Sequence, residues 1–359
     1  DAALRSPART VRFLPESPYN HRPLPIERWV DEVLAWEPDV VGFTVYVTSF
    51  TTSLLAAREI KRRAPEVTIV FGGPHAASDQ SGDVALLTGI PDVAVHGEGE
   101  ETLVELVRTV ERGSRDFSGI SGAGTLVDGS PRWADRRPLL RKIDDLPFPD
   151  FSDFDLVNYL DPYVIPIMSS RGCVLHCSFC YETVYWKRFR TQSPQRIADE
   201  IAYQVGRHPL REQAERDGSR FYMMFADSLV NGHLGGLRRF ADLMIERDLP
   251  VRWGGQATIN TKMDDVFFAK LSAAGCTGLA FGLESGSQRV LASMGKHFNI
   301  DDAADFMKRA HLAGGLQRQV DGFQDVAAGG DAMVDHREPI EQRPAGFQRL
   351  VDADLAFMI

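Results

Sequence analysis

The sequence predicts an α/β protein in which a Rossmann-like, doubly wound parallel sheet precedes a partial (β/α) barrel. Three features of the 359-residue chain point there. Short apolar runs alternate with amphipathic stretches from about residue 26 to 112, residues 113–150 are rich in Gly, Asp, Arg and Pro, and the alternation restarts at Tyr163. Near-continuous apolar strands in βαβα order require a parallel sheet covered on both faces. A further run of βα units points to a barrel or an arc of one.

Taken in order, Ile26, Val30, Val33 and Leu34 recur at helical spacing, and Pro38 ends that run. Val40 to Val47 reads as a buried strand, Thr51 to Ala64 as a helix closed by Pro65, and Val67 to Phe71 as a second strand running into Gly72-Gly73-Pro74-His75. A short strand at Val93 to Val95 precedes Gly97-Glu98-Gly99, and Leu103, Leu106, Val107 and Val110 mark the next helix. Residues 113–150 supply a linker and one hairpin. In the second half Tyr163 to Met168 is a strand, and Ser193-Pro194 opens a helix with Ile197, Ile201 and Val205 on one face. Phe221 to Phe225 is a strand, Leu237, Phe240 and Met244 mark a helix, and Val251 to Trp253 is a short strand. Val266 to Ala274 is a helix ended by Gly275, Gly278 to Leu283 is a fourth strand, and Asp301 caps a helix carrying Ala303, Phe306, Met307 and Ala310. The expected organisation is a first domain over 1–137, a linker over 138–162, the barrel arc over 163–314 and a divergent or truncated tail over 315–359.

A hydrophobic share of 43 % and a charged share of 25 % are those of a soluble globular protein, and the net charge of −10 argues against a nucleic-acid partner. Small substrates fit this balance better. No apolar run approaches the roughly 20 residues of a membrane-spanning helix. The chain opens at Asp1 without a methionine or a charged-then-apolar leader, so a start further upstream and a cytoplasmic location are expected.

Only four cysteines occur, and three of them, Cys173, Cys177 and Cys180, share the segment Arg171 to Tyr181 in a C-x₃-C-x₂-C spacing. That distribution cannot staple a fold and points to a metal site in a reducing compartment. Iron–sulfur clusters are held by cysteine thiolates, and a cubane with three protein ligands keeps one iron open to a reactant. The alternatives are a zinc ion with His176 as fourth ligand and three unrelated cysteines. Cys276, beside a helix-ending glycine and an apolar strand, reads as a buried core thiol.

This spacing resembles the signature of the radical SAM superfamily, and the resemblance extends through most of residues 163–314. It implies a [4Fe–4S] cluster on Cys173, Cys177 and Cys180. The open iron would chelate S-adenosylmethionine, whose reductive cleavage gives a 5′-deoxyadenosyl radical. An external electron donor such as flavodoxin or ferredoxin is implied as well. Polar residues stand at successive strand ends, where βα barrels place catalytic groups. By the resemblance, Asp227 or Ser228 would meet the methionine amino group, and Glu284 and Ser285 the methionine or ribose. Gln256 is a weaker ribose candidate, and Lys296 also fits the family pattern. The alternatives are a helix N-cap for Asp227, a first-turn acid for Glu284, loop polarity for Gln256 and a solvated loop lysine for Lys296. Tyr181, Tyr185 and Trp186 either stack on adenine, shield the cluster or pack under the loop.

Pro38 to Leu106 resembles the cobalamin-binding domain that precedes the barrel in one large subgroup, which includes cobalamin-dependent methyltransferases and the anaerobic magnesium-protoporphyrin cyclase. Gly72, Gly73, His75, Gly97 and Glu98 lie in the matching loops and would face the corrin. No Asp-x-His-x-x-Gly occurs, so no histidine is expected on cobalt. The first strand and helix of that domain are missing from the pattern, Val11-Arg12-Phe13 being all that remains of an early strand. Methyl transfer to a small molecule is the leading expectation and oxidative cyclisation the second. A non-catalytic metal-binding protein and an inactive gene fragment are the rivals from other classes.

Overall fold

The computed structural model describes residues 25–154 and 163–313. The expected Val11 to Phe13 strand and the 315–359 tail lie outside them. Two compact units, 1–160 and 161–359, divide the chain.

In the first unit α1 (Ile26–Leu34) buries Val30 and Val33. There follow β1 (Val40–Thr44), α2 (Phe50–Arg63), β2 (Thr68–Gly72), the short helices α3 (Gly73–Ala76) and α4 (Asp79–Leu87), β3 (Val93–Val95) and α5 (Glu100–Glu111). The hairpin β4 (Ala123–Val127) and β5 (Ser130–Trp133) ends the unit's strands. Sheet order is β1-β2-β3-β4-β5, parallel over the first three strands and antiparallel over the last two. Asp128 and Gly129, both at positive φ, make the two-residue hairpin turn. Helices cover both faces because β2 is apolar on both. Ile69 and Phe71 pack with Ala57 and Ile60 of α2 and Val30 of α1, whereas Val70 packs with Val93, Val95 and Leu106 of α5. Among the described residues β1 pairs only with β2.

The second unit begins with β6 (Val164–Ile167) and β7 (Ser170–Arg171), then α6 (Glu182–Trp186), β8 (Arg190–Thr191), α7 (Pro194–Arg207), α8 (Leu210–Arg216) and β9 (Tyr222–Phe225). It continues with α9 (Leu234–Glu246), β10 (Arg252–Ala257), α10 (Asp265–Ala273), β11 (Cys276–Phe281), α11 (Gln288–Ser293) and α12 (Ile300–Leu312). The four long strands lie in the order β11-β10-β9-β6, all parallel, so each neighbours the next in sequence. That is the order of a βα-barrel arc. Ile167, Phe225 and Gly255 share one row, and Trp253, Phe225 and Phe240 of α9 stack edge to face beneath it at 5.2–5.6 Å. This is the helix-covered face. The opposite face carries Pro166, Met224, Gln256 and Ala280, none of them buried.

Several boundaries differ from expectation: β1 ends at Thr44 rather than Val47, β11 spans Cys276–Phe281 rather than Gly278 to Leu283, and two further differences bear on named residues. Asn299, not Asp301, caps α12, its side-chain oxygen accepting from the Asp302 amide at 2.7 Å. Asp301 sits in the first turn, where its charge complements the helix dipole. The third strand of the arc runs on to Ala257, so Gln256 lies within β10 rather than beyond it. No described helix is long and apolar enough to cross a membrane.

Candidate active site around the cysteine loop

β6 delivers the chain to Ser169 and Ser170, and β7 pairs antiparallel with β8 to form a narrow ribbon at the root of the cysteine loop. Gly172 begins the loop at φ +83, and a Cβ there would lie 2.7 Å from the Arg188 carbonyl and 3.1 Å from Trp186 Cβ. Only glycine meets both demands. Gly172→Ala is expected to cost about 1–3 kcal/mol of stability, through a left-handed alanine pressed on backbone, read as a lowered urea midpoint. Buried Arg171 places its guanidinium 5.2 Å over the Trp186 ring, and Tyr185 meets Trp186 edge to face at 4.6 Å. Tyr185 and Trp186 thus pack under the loop, whereas Tyr181 is exposed.

Along the loop, Cys173, Cys177 and Cys180 are half-buried, while Val174, His176, Ser178 and Phe179 are exposed. The Leu175 amide donates to Cys173 Sγ at 3.4 Å, a backbone contact of the kind that stabilises thiolate. Burial nevertheless raises the Cys173 thiol above its ordinary range, and the neighbouring Cys180 and Cys177 add to the rise. His176 is exposed. Among the described residues no three His, Cys, Asp or Glu side chains gather closely enough for one ion. Each thiolate of a cubane binds a different iron, whereas the ligands of a zinc ion share one centre at about 2.0–2.3 Å. Cys276 is 1 % exposed, with its thiol pushed up to about 12 by burial, so it is a core group.

Asp227 follows β9 and is 4 % exposed. One carboxylate oxygen accepts from the Ser169 amide at 2.9 Å, and the other accepts from Ser169 Oγ at 2.8 Å and from Ser170 Oγ. Burial pushes its carboxyl up to about 6 against the pull of these donors. It is not a helix cap, since α9 starts at Leu234 behind His233. Its side chain ties the end of β9 to the root of the cysteine loop. Ser228, beside it, donates to Glu182 Oε2 in the first turn of α6. Glu182, Ser169 and Ser170 carry no periodic or motif signal, and only their partners reveal them.

Glu284 is not a first-turn acid either, because α11 starts at Gln288. It sits at φ +66 after β11, spanned by a hydrogen bond from the Ser285 amide to the Leu283 carbonyl at 2.8 Å. Lys296 Nζ donates to Gly282 O at 2.9 Å and to Glu284 Oε1 at 3.2 Å. Gln256 is exposed on the open face of the arc, and its carbonyl accepts from the Val230 amide at 2.8 Å.

In the first unit Gly72 ends β2, and Gly73, at φ +86, lets the chain pass Val45, whose amide would be 2.8 Å from a Cβ there. The His75 amide donates to the Val45 carbonyl at 3.0 Å, and its ring meets Phe50 edge to face at 4.9 Å. Burial lowers the His75 pKa. At Gly72 and at Gly97 a Cβ would meet nothing within 4 Å, which leaves open surface beyond the carboxyl ends of β2 and β3. Large ligands approach doubly wound sheets there. Glu98, by contrast, is buried, and its Oε2 accepts from the Leu140 amide at 2.8 Å. It fastens the segment after the hairpin rather than facing that opening.

Comparison with known proteins adds to this geometry. The B12 binding domain family matches residues 2–107, and the Radical SAM superfamily matches residues 167–317. An uncharacterized methyltransferase of Pyrococcus horikoshii is 28 % identical over 299 residues, covering 81 % of this chain and 61 % of its own length. The anaerobic magnesium-protoporphyrin IX monomethyl ester cyclase of Cereibacter sphaeroides is 29 % identical over 327 residues, covering 84 % of this chain and 47 % of its own length. The chain thus spans about half to three-fifths of these curated relatives. Among solved structures, the radical S-adenosylmethionine methyltransferase TsrM from Kitasatospora setae superposes with a TM-score of 0.63 at 20 % identity, over 81 % of this chain and 58 % of its own.

Proposed function

Because the chain belongs to the radical SAM superfamily, in the group that carries a B12-binding domain ahead of the radical SAM domain, we propose that it serves reductive cleavage of S-adenosylmethionine for cobalamin-dependent methyl transfer to a small molecule. The observation that carries this reading is the cysteine loop: three half-buried thiols at the end of the first strand of a parallel arc, with Val174, His176, Ser178 and Phe179 exposed between them. Cys173, Cys177 and Cys180 would hold a [4Fe–4S] cluster, which supplies, when bound, the electron that splits S-adenosylmethionine to a 5′-deoxyadenosyl radical.

The protein's own groups position and shield. Ser228, Glu284 and Ser285 stand after β9 and β11, where the methionine and ribose portions would lie, and Gln256 offers a further polar group from the open face of β10. Asp227 acts from behind by fixing Ser169 and Ser170. In the first unit Gly72, Gly73, His75 and Gly97 border the surface offered to the corrin, and Glu98 supports it from below. Free cysteines fit a reducing cytoplasm, and an external electron donor such as flavodoxin or ferredoxin belongs to the same reading. The cyclase relative favours oxidative cyclisation as the second reading.

Anaerobic reconstitution with iron, sulfide and hydroxocobalamin tests the proposal. The expected result is an iron–sulfur absorbance, cobalamin retained through gel filtration, and 5′-deoxyadenosine formed on reduction with S-adenosylmethionine. Colourless protein holding one tight zinc rejects it, and so does a stable cluster that leaves S-adenosylmethionine intact. Transfer of a labelled methyl group separates methylation from cyclisation.

A further inference from the structure

The tip of the cysteine loop is held by a turn far along the chain. The Ser178 amide donates to the Met294 carbonyl at 2.9 Å, and Ser178 Oγ donates to Ser293 O at 3.4 Å across 115 residues of sequence. Gly295, at φ +74, lies so close that a Cβ there would stand 3.3 Å from the His176 carbonyl and 3.8 Å from Cys177 Cα. Lys296 is the next residue. Its side chain is only 8 % exposed, its ammonium holds Gly282 O and Glu284 Oε1, and it sits 5.6 Å from the Phe179 ring centroid. A solvated loop lysine has none of these partners. A covered ammonium needs oxygen acceptors, and an aromatic face adds further attraction.

We propose that Lys296 is a positioning residue that locks the tip of the cysteine loop to the segment after β11. The spacing of the thiols and the placement of Glu284 are then set together. One cation binds the fourth strand's end through Gly282 and Glu284, while its own turn grips the backbone between Cys177 and Cys180. The inference deepens the reading above and rests on it for what the thiols hold. The contacts themselves join protein groups alone.

The test therefore uses the full metal-free chain under anaerobic reducing conditions, as wild type, Lys296→Met and Glu284→Gln. Hydrogen exchange is followed at the Ser178 amide and in β9 and β10, and iodoacetamide alkylation is followed at Cys177 and Cys180. In Lys296→Met, exchange at Ser178 and alkylation of both thiols should rise about tenfold, the order expected on losing a charge-assisted hydrogen bond. Exchange in β9 and β10 should stay as in wild type. Unchanged loop exchange overturns the proposal, and so does a rise spread evenly through the strands, which signals general loosening. If Lys296→Met does not fold, Glu284→Gln keeps the acceptor and removes the charge. A smaller rise confined to the loop then supports the role, and no rise overturns it. A loop response in Lys296→Met, together with a wild type that takes up no cluster on reconstitution, would uphold the positioning role while refuting the cofactor reading.

Discussion

Cys177→Ala is expected to abolish the iron–sulfur absorbance after reconstitution and, with it, all 5′-deoxyadenosine formation, while Cys276→Ala leaves both intact. The contrast follows from the environments of the two thiols. Cys177 is half-buried on the loop beside Cys173 and Cys180, and its backbone carbonyl accepts from the Cys180 amide at 3.1 Å, so that the two residues turn as a unit. A cubane held by two thiolates lacks the third anchor that its open iron presupposes. Cys276 stands at the start of β11 with its thiol toward the Gly278 carbonyl at 3.9 Å, buried and held protonated. Removing its sulfur leaves a small cavity that costs about 1 kcal/mol and no ligand. Iron content and absorbance of the two variants, measured side by side, check the assignment. Loss of the cluster from the Cys276 variant would overturn it.

Periodicity exposed the strands because the sheet centres are apolar on both sides: Thr68 to Phe71 of β2 and Val93 to Val95 are wholly buried, and their sequences read as uninterrupted runs. The helices α2, α5, α7, α9 and α10 were legible for the complementary reason, each laying a stripe of apolar residues on its sheet. The short helices α6, α8 and α11 were not, since one or two turns carry too little of a stripe to register, nor was α4, whose first five residues, Asp79 to Asp83, include no apolar side chain. The end of β10 escaped for another reason. Gly254 and Gly255 give no hydrophobic signal, yet Gly254 is glycine because the Tyr222 hydroxyl occupies the space of a Cβ, and Gly255 because Phe225 and Val230 do. The site divides in the same way. The cysteines were legible from spacing alone, and Asp227, Ser228 and Glu284 from their place after strands. Their partners Ser169, Ser170 and Glu182 were not, because those pairings join residues 46 to 58 positions apart and follow from the stacking of strand ends rather than from any local pattern.

Asp227 shows what such a pairing is worth. Asp227→Ala should lower stability by about 2–4 kcal/mol and sharply reduce iron uptake, because the Ser169 amide and both serine hydroxyls are left buried without an acceptor at the root of the loop. Asp227→Asn should retain most of both. Its amide oxygen can take the Ser169 N–H, and the serine hydroxyls, which accept as well as donate, can rotate to receive its NH₂. The pair of variants also separates charge from shape. The Asp227 carboxyl titrates higher in the folded chain, at about 6, than an unfolded carboxylate near 3.8, so the folded state binds the proton more tightly. Its contribution to stability is complete below the unfolded value and is lost as the pH rises through about 6. Urea midpoints should therefore fall in the wild type relative to Asp227→Asn between about pH 4 and pH 7. Glu200, raised first by burial, keeps Arg196 as its ion-pair partner in both proteins, so only the smaller contribution of the Asp227 charge to its shift differs between them. Parallel midpoints across that range would show that Asp227 is stabilised as the anion by its three donors. An alanine variant with normal iron uptake would show that the loop root needs no tether.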